Sequence, residues 1–268
     1  IAGQCAPMEH EGTIRLGIFL GLFAALALAE WVWPQRDRVQ PQLRRWATNW
    51  ALSLLNTGLL RVMAFILPAL AVGAAVNAAG LDIGLFNWLD WPLWAEGLAA
   101  ILILDLAIWF QHLITHKIPL LWRLHRVHHA DRDLDVSSAI RFHPVEIGLS
   151  MLLKVGLVYA LGPHFIAVIV FEILLNATAL FTHANLRLPP KLDARLRLVF
   201  VTPDMHIVHH STKRAEHDSN YGFALSIWDR IFRTYTPVAG PDFKTGLQWQ
   251  DARPSQLGFS LWLPFRRK

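Results

Sequence analysis

The chain has 268 residues, 54% of them hydrophobic, with a positive mean hydropathy and a formal net charge of +5. That is too apolar for an ordinary soluble domain and points to an all-α integral membrane protein. One cysteine, Cys5, excludes a disulfide framework, a Cys-ligated iron–sulfur cluster and a zinc ribbon within the chain.

The first predicted element is an apolar helix over 14–33, about one bilayer thickness long. It follows an N-terminus that starts at Ile1, as in a trimmed or incomplete chain, with no clear cleavable signal peptide. Residues 34–47 form a polar loop with two prolines and four arginines. A second apolar run, 48–76, carries Arg61 in its middle, and 77–92 is a loop with two aspartates and no Lys or Arg. The third run, 93–115, ends in His112-x-x-x-His116, and Pro119 marks a break. A polar, basic stretch over 120–142 follows. Apolar runs over 145–161 and 164–184, split by Leu161-Gly162-Pro163, read as a helical hairpin. Its shorter arm either spans, with Lys154 snorkelling, or is re-entrant, so about four transmembrane helices are expected. From Arg187 onward the chain is mostly polar and basic, ending in a tail with apolar and basic residues side by side. That tail lies on the membrane surface or packs onto the rest of the chain.

Twelve tryptophans, many near the ends of apolar runs, suit an interfacial belt. The arginines sit in short segments, which suits membrane topology and anionic lipid; no basic face interleaved with aromatics suggests nucleic acid. The positive-inside rule puts the 34–47 loop in the cytoplasm and the N-terminus and the 77–92 loop outside. Segment 116–143 and everything after His183 then fall on the cytoplasmic side, as a helical cap.

This topology sorts the thirteen histidines. His10 and His164 fall at the outer face. At the inner face lie His112 and His116, then His125, His128 and His129 as H-x-x-H-H, the lone His183, and His206, His209 and His210 as a second H-x-x-H-H. Residues three or four apart share a helix face, so each group aims its rings at a common point. Neutral imidazole suits iron, zinc, copper and nickel. A tetrahedral ion needs four ligands, so nine histidines are too many for one ion and about right for two. No Glu-x-x-His occurs, which separates the pattern from carboxylate-rich di-iron bundles.

Other residues are candidates for bracing this set. Asp105, two turns before His112, either accepts the second N–H of a ligand imidazole or pairs with Arg61. Glu172, near mid-depth, is expected to pair with Arg61. His143, in Arg141-Phe142-His143-Pro144, is expected beside the ligands rather than among them. His217 is expected to be solvated. Asp218 and Asn220, with Tyr221 and Gly222, read as a turn docking the C-terminal segment.

The order H-x-x-x-H, H-x-x-H-H, His183 with Asn185 two later, then H-x-x-H-H resembles the fatty acid hydroxylase superfamily, also called the sterol desaturase family. Further matches are Pro119-Leu120-Leu121-Trp122-Arg123, Arg141-Phe142-His143-Pro144, Thr202-Pro203, Asn220-Tyr221-Gly222 and Trp228-Asp229-Arg230. The resemblance covers about 93–236 and divides the chain into N-terminal transmembrane helices (1–92), a catalytic domain (93–236) and an amphipathic tail (237–268). It implies a membrane-embedded di-iron oxygenase that hydroxylates an unactivated C–H bond of a fatty acyl or sterol-like lipid, using O2 and external electrons. The ligands it implies are His112, His116, His125, His128, His129, His183, His206, His209 and His210. Leu180 and Phe181 offer no further ligand, so water, Asn185 or His143 completes the shell. Zinc is a substitute that purified protein can carry. No cytochrome b5-like domain is recognisable, so a separate ferredoxin- or cytochrome-type carrier with its reductase is the expected donor; the oligomeric state is open. The same ligands serve a desaturase. A zinc-binding membrane protein or transporter is the alternative from another class, but a transporter wants ligands at mid-depth. An intramembrane metalloprotease would want His-Glu-x-x-His, which is absent.

Overall fold

The computed structural model describes residues 10–67, 70–249 and 252–266; Cys5, the outermost N-terminus and the terminal Arg267-Lys268 lie outside them. Among the described residues the chain is helical, with no strand beyond isolated bridges. The long elements are α1 (Glu11–Val32), α2 (Gln42–Ile66), α3 (Leu70–Gly80), α4 (Leu93–Lys117), α5 (Pro119–His129), α6 (Pro144–Leu161) and α7 (Phe165–His183). Short helices follow: α8 (Pro190–Leu196), α9 (Pro203–His209), α10 (Arg214–His217), α11 (Ile227–Ile231) and α12 (Leu257–Trp262).

Five helical stretches are long and apolar enough to cross a membrane: α1, Gln42–Trp88, α4, α6 and α7. The chain is a multi-pass membrane protein. Leu54, Phe65 and Trp94 face outward on these helices, as side chains that meet lipid tails do. The 18 residues of α6 give about 27 Å of helix, so both arms of the predicted hairpin reach across a hydrocarbon core.

Proline and glycine set the boundaries. Pro119, Pro144 and Pro203 open α5, α6 and α9, where the missing N–H costs nothing. Thr202 caps α9 by accepting from the Met205 amide. Gly162 ends α6 with φ +62°, and a Cβ there would sit 2.6 Å from the Ile83 carbonyl and 3.0 Å from Gly84 Cα. That contact joins the α6–α7 turn to the loop before α4, as does the Glu96 carboxylate accepting from the His164 amide (2.6 Å). Those turns form one end of the bundle; the patterned histidines lie at the other ends of α4 and α7.

The alanine-rich face of α3 (Ala71, Ala74, Ala75) packs on Met151, Val155 and Val158 of α6 and Val168 and Ile169 of α7. Small residues let the helices approach closely. Leu104 and Ile108 of α4 meet Phe171 of α7, and Phe23 of α1 meets Val136, Ala139 and Leu180.

The expected Arg61–Glu172 pair is not formed. Arg61 is exposed, and Glu172 instead binds Lys154 of α6 (2.7 Å) and Arg15 of α1. Lys154 is therefore paired within the bundle and does not snorkel. Helix α2 turns Arg61 away from α7, a rotation that an almost uniformly apolar span leaves unspecified in sequence.

The tail returns onto the bundle: Ser260, Leu263 and Pro264 are buried, while Trp262 and Phe265 face outward. Arg126 of α5 donates to the Leu263 carbonyl (2.6 Å) and the Arg266 carbonyl (2.8 Å).

Candidate metal centre

Four elements converge at one end of the bundle. Helix α4 brings His112 and His116, α5 brings His125, His128 and His129, the last residue of α7 is His183, and α9 with its C-cap brings His206, His209 and His210. All nine are buried, and their ring nitrogens fall into two groups. One comprises His112, His116, His125, His129 and His209; the other comprises His128, His183, His206 and His210. Within each group the candidate ligand atoms lie within 4.8 Å of one another. The i, i+4 pair on α4 stays in one group, whereas each H-x-x-H-H splits between the two. Adjacent residues on a helix diverge by about 100°, so each second box bridges both groups.

Backbone carbonyls and one carboxylate fix the tautomers. His112 Nδ1 donates to the Tyr221 carbonyl (2.7 Å), His183 Nδ1 to the Ala179 carbonyl (2.7 Å) and His209 Nδ1 to the Ser219 carbonyl (2.7 Å). His128 Nδ1 donates to the Arg141 carbonyl (3.1 Å), and His125 Nδ1 to the Glu146 carboxylate (2.6 Å). In a neutral ring, a proton on Nδ1 leaves a bare lone pair on Nε2. Yet Nε2 of His112 faces Nε2 of His125 at 3.1 Å, and Nε2 of His183 faces Nε2 of His128 at 3.1 Å. Neither pair has a hydrogen to share. Such facing lone pairs repel unless a cation lies among them. His116 (both nitrogens), His129 Nε2 and His209 Nε2 are also buried without a hydrogen-bond partner, which is costly for polar atoms with no ligand. The donor set therefore fits two metal ions.

Charge supports the same conclusion. Burial, then neighbouring histidines, holds His128, His129, His206 and His210 well below the ordinary imidazole value. These rings are neutral at pH 7, as ligands must be.

Elements behind the rings hold them in place. The Phe142 ring stacks on His128 (centroids 4.4 Å apart, 6° between planes). Tyr221 presents its carbonyl because Asp229 accepts from the amides of Tyr221 and Gly222 (both 2.9 Å), from Trp109 (3.0 Å) and from Thr234 (2.6 Å). A side chain at Gly222 would collide with the Leu225 carbonyl, 2.7 Å from an added Cβ. Arg45 enters from α2 to bind Asp131 (2.7 Å) and Asp135 (2.8 Å), fixing the turn after His129. Burial alone would raise the Asp131 carboxyl, but Arg45 outweighs it and holds it at about 2. Arg141 is buried and donates to the Val127 carbonyl (2.8 Å), Asn49 (2.7 Å) and Ser260 (2.7 Å).

Of the residues expected to brace the ligands, Asp218 lies beside one of the nine rings, and the others are placed differently. Asp105 reaches neither His112 nor Arg61; it accepts from Trp228 Nε1 (2.7 Å). Seven residues are about 10 Å of helix rise, too far for a direct bond to the His112 ring. His143 caps α6 through Nδ1 (3.2 Å from the Val145 amide) and turns Nε2 to the Leu261 carbonyl (3.2 Å), away from both groups. Asn185 ties the α1–α2 loop, accepting from the Arg36 amide (3.1 Å) and donating to the Arg36 carbonyl (2.9 Å). Asn220, at φ +53°, braces α9 by donating to the Met205 carbonyl (2.8 Å). Asp218 lies 3.7 Å from His116 Nδ1 and pairs with Lys117 (3.0 Å). His217 is not simply solvated: it stacks on Trp122 (5.1 Å, 12°) and shares a third grouping with His116 and Asp218. Glu146 is the acidic partner that spacing did not suggest; its signal was an acidic residue in the first turn of an apolar helix, just after Arg141-Phe142-His143-Pro144.

Comparison with known proteins follows the same lines. The sequence model described as fatty acid hydroxylase matches residues 97–234. The ornithine lipid hydroxylase of Rhizobium tropici is 28% identical over 223 residues, 81% of this chain and 66% of that protein. Alkylglycerol monooxygenase from Homo sapiens is 32% identical over 151 residues, 56% of this chain and 33% of that protein; the Danio rerio protein is 31% identical over 155 residues, 57% and 33%. The chain thus spans just under two thirds of the first of these relatives and a third of the others. No solved structure matches it.

Proposed function

The chain belongs to the fatty acid hydroxylase family, and from that premise we propose that it is a membrane-bound di-iron oxygenase that hydroxylates a C–H bond of a lipid. The observation that carries this reading is the pair of facing, deprotonated Nε2 atoms in each histidine group. His112, His116, His125, His129 and His209 would hold one iron, and His128, His183, His206 and His210 the other. Bound there, two irons supply the activation of dioxygen that an unactivated C–H bond requires.

The chain's own residues orient and exclude. The five anchored Nδ1 atoms fix each ring's tautomer and direction, Glu146 serving as the carboxylate anchor of His125. Burial keeps water from the centre, which limits wasteful side reactions. The lipid enters from the bilayer between spans, its reactive carbon lifted towards the histidine end. That end faces the cytoplasm on the positive-inside rule, where a separate ferredoxin- or cytochrome-type carrier delivers electrons. The relatives named hydroxylase and monooxygenase support hydroxylation over desaturation at the shared site.

The test is product analysis with purified protein, ferrous iron, a reductant system, a membrane lipid extract and isotopically labelled dioxygen. A lipid product that gains one labelled oxygen is expected, with two irons per chain. Metal-replete protein that yields no oxygen-dependent lipid product would overturn the reading, and zinc-only loading would favour the non-redox alternative.

A further inference from the structure

A cavity of about 250 Å³ lies between the α1–α2 loop, the turn at Asp133 and the segment around Lys244. Arg36, Arg38, Arg132 and Lys244 all line it. Their donors are under-used. Arg36 Nη1, Arg38 Nε and Nη2, and Arg132 Nε are buried without a hydrogen-bond partner in the protein. Burial pushes the Arg36 guanidinium down to about 10, against the pull of Asp204 and Asp133. Unmatched buried guanidinium nitrogens carry the full cost of lost water, which an anion would relieve.

The carboxylates nearby do not supply that anion. Asp133 accepts from the amides of Val39 (2.8 Å) and Gln40 (2.9 Å). Asp135 is taken by Arg45 (2.8 Å), Trp46 (3.1 Å) and the Ser137 amide (3.0 Å). Glu30 accepts from the amides of Val136 and Asn185 (both 2.7 Å) and stays 3.9 Å from Arg38. Asp37, which is exposed, is the one lining carboxylate without a bond among the described residues. Arg36, Arg132 and Lys244 thus have no carboxylate partner among the described residues, Arg38 has only the long contact to Glu30, and the one uncommitted lining carboxylate is Asp37.

Two features point to a lipid. The cavity is smaller than the roughly 300–1,000 Å³ of a site that encloses a whole small-molecule ligand, so it suits a headgroup. A larger cavity of about 770 Å³ shares Arg36 and Phe243 with it; Leu188, Ile207 and Val208 line it beside Arg187, Asp193, Arg197 and Asp204. Ile207 and Val208 belong to α9, between His206 and His209, and Asn185 in the smaller cavity follows His183 by two residues. The cationic cavity therefore adjoins a larger space of mixed, partly apolar lining, next to the histidine groups.

We infer that the arginine-lined cavity binds the oxyanion, phosphate or carboxylate, of a lipid headgroup, and so selects anionic lipids for the adjacent centre. The selection clause rests on the oxygenase reading; the binding site does not. The test measures binding to the iron-loaded, full-length protein in detergent, using dioctanoyl phosphatidic acid, octanoate, dioctanoylglycerol and inorganic phosphate as probes. Phosphatidic acid and octanoate should both bind more tightly than dioctanoylglycerol. Arg36→Gln and Arg132→Gln should each weaken phosphatidic acid binding by about tenfold, the worth of one charge-assisted hydrogen bond, leaving dioctanoylglycerol binding and iron content unchanged. Should Arg36→Gln fail to fold, Arg132→Gln and Lys244→Gln, the latter at an exposed position, carry the same comparison. Equal affinity for anionic and neutral lipid, or variants that bind as the parent does, would overturn the site. Inorganic phosphate binding as tightly as phosphatidic acid would make the ligand a free anion and overturn the headgroup assignment. Anion binding without any oxygenated product would leave the site standing and remove the oxygenase reading alone.

Discussion

At the scale of single residues, the proposed ligand role of the nine histidines and the anchoring of their rings by carbonyls and Glu146 can each be removed separately. His128→Ala should lower iron content by about one ion per chain, read by elemental analysis of the purified protein; full stoichiometry would refute its place in the four-histidine group. Glu146→Ala leaves the His125 ring without the carboxylate that fixes its Nδ1 proton. Loss of such an outer partner costs roughly 10–100-fold in metal affinity or activity, and Glu146→Gln, which still offers a carbonyl oxygen, should lose less. Equal metal affinity in all three proteins would show that Glu146 does not orient His125. The histidine pattern is readable in sequence because three- and four-residue spacing maps directly onto one helix face. The anchors are not readable, because the carbonyls of Tyr221 and Ser219 reach His112 and His209 only through folding; every residue owns a carbonyl, so nothing in the sequence marks these.

At the scale of elements, the turn after α5 depends on charges buried between α2 and the Asp131–Asp135 stretch. Arg45 is 1% exposed and its bonds run to Asp131, Asp135 and the Asp133 carbonyl. Arg45→Met would strand those carboxylates. Breaking a buried pair on one side costs about 3–5 kcal/mol, so thermal unfolding in detergent should begin well below that of the parent; an unchanged transition would mean that water reaches the aspartates. Sequence reading found the spans here because long apolar runs have few other fates. It mis-paired Glu172 because hydrophobicity does not fix how an apolar helix is rotated about its axis. The sequence suggests a similar depth for Arg61 and Glu172, but it is Arg15 and Lys154 that face the carboxylate. It also missed the Arg45 network, since Asp131, Asp133 and Asp135 look like an ordinary polar loop until α2 is packed against them.

At the scale of the whole molecule, α4 and α7 pack along their length, but α4, α5, α7 and α9 all come together at the histidine end, so bound metal should tie their ends together. A ligand that binds the folded state alone stabilises it by about 4 kcal/mol at a thousand times its Kd. Chelation under reducing conditions should therefore lower the melting transition, and ferrous iron should restore it; identical transitions would show that the two histidine groups hold no ion. The same end must also face one side of the membrane. With five stretches able to cross, the α6–α7 turn and the loop before α4 lie together at the opposite end from the histidines. Four arginines in 34–47 and no basic residue in 77–92 predict the sense on the positive-inside rule, with the histidines inside and that loop outside. Single cysteines introduced into a Cys5→Ser background should settle the sense in intact cells. Asp82→Cys should react with a membrane-impermeant thiol reagent added outside, and Lys213→Cys, on the histidine side, should react only after the cells are opened. The reverse pattern would place the centre outside, beyond reach of cytoplasmic electron carriers, and with it would fall the proposal that such a carrier supplies the proposed oxygenase.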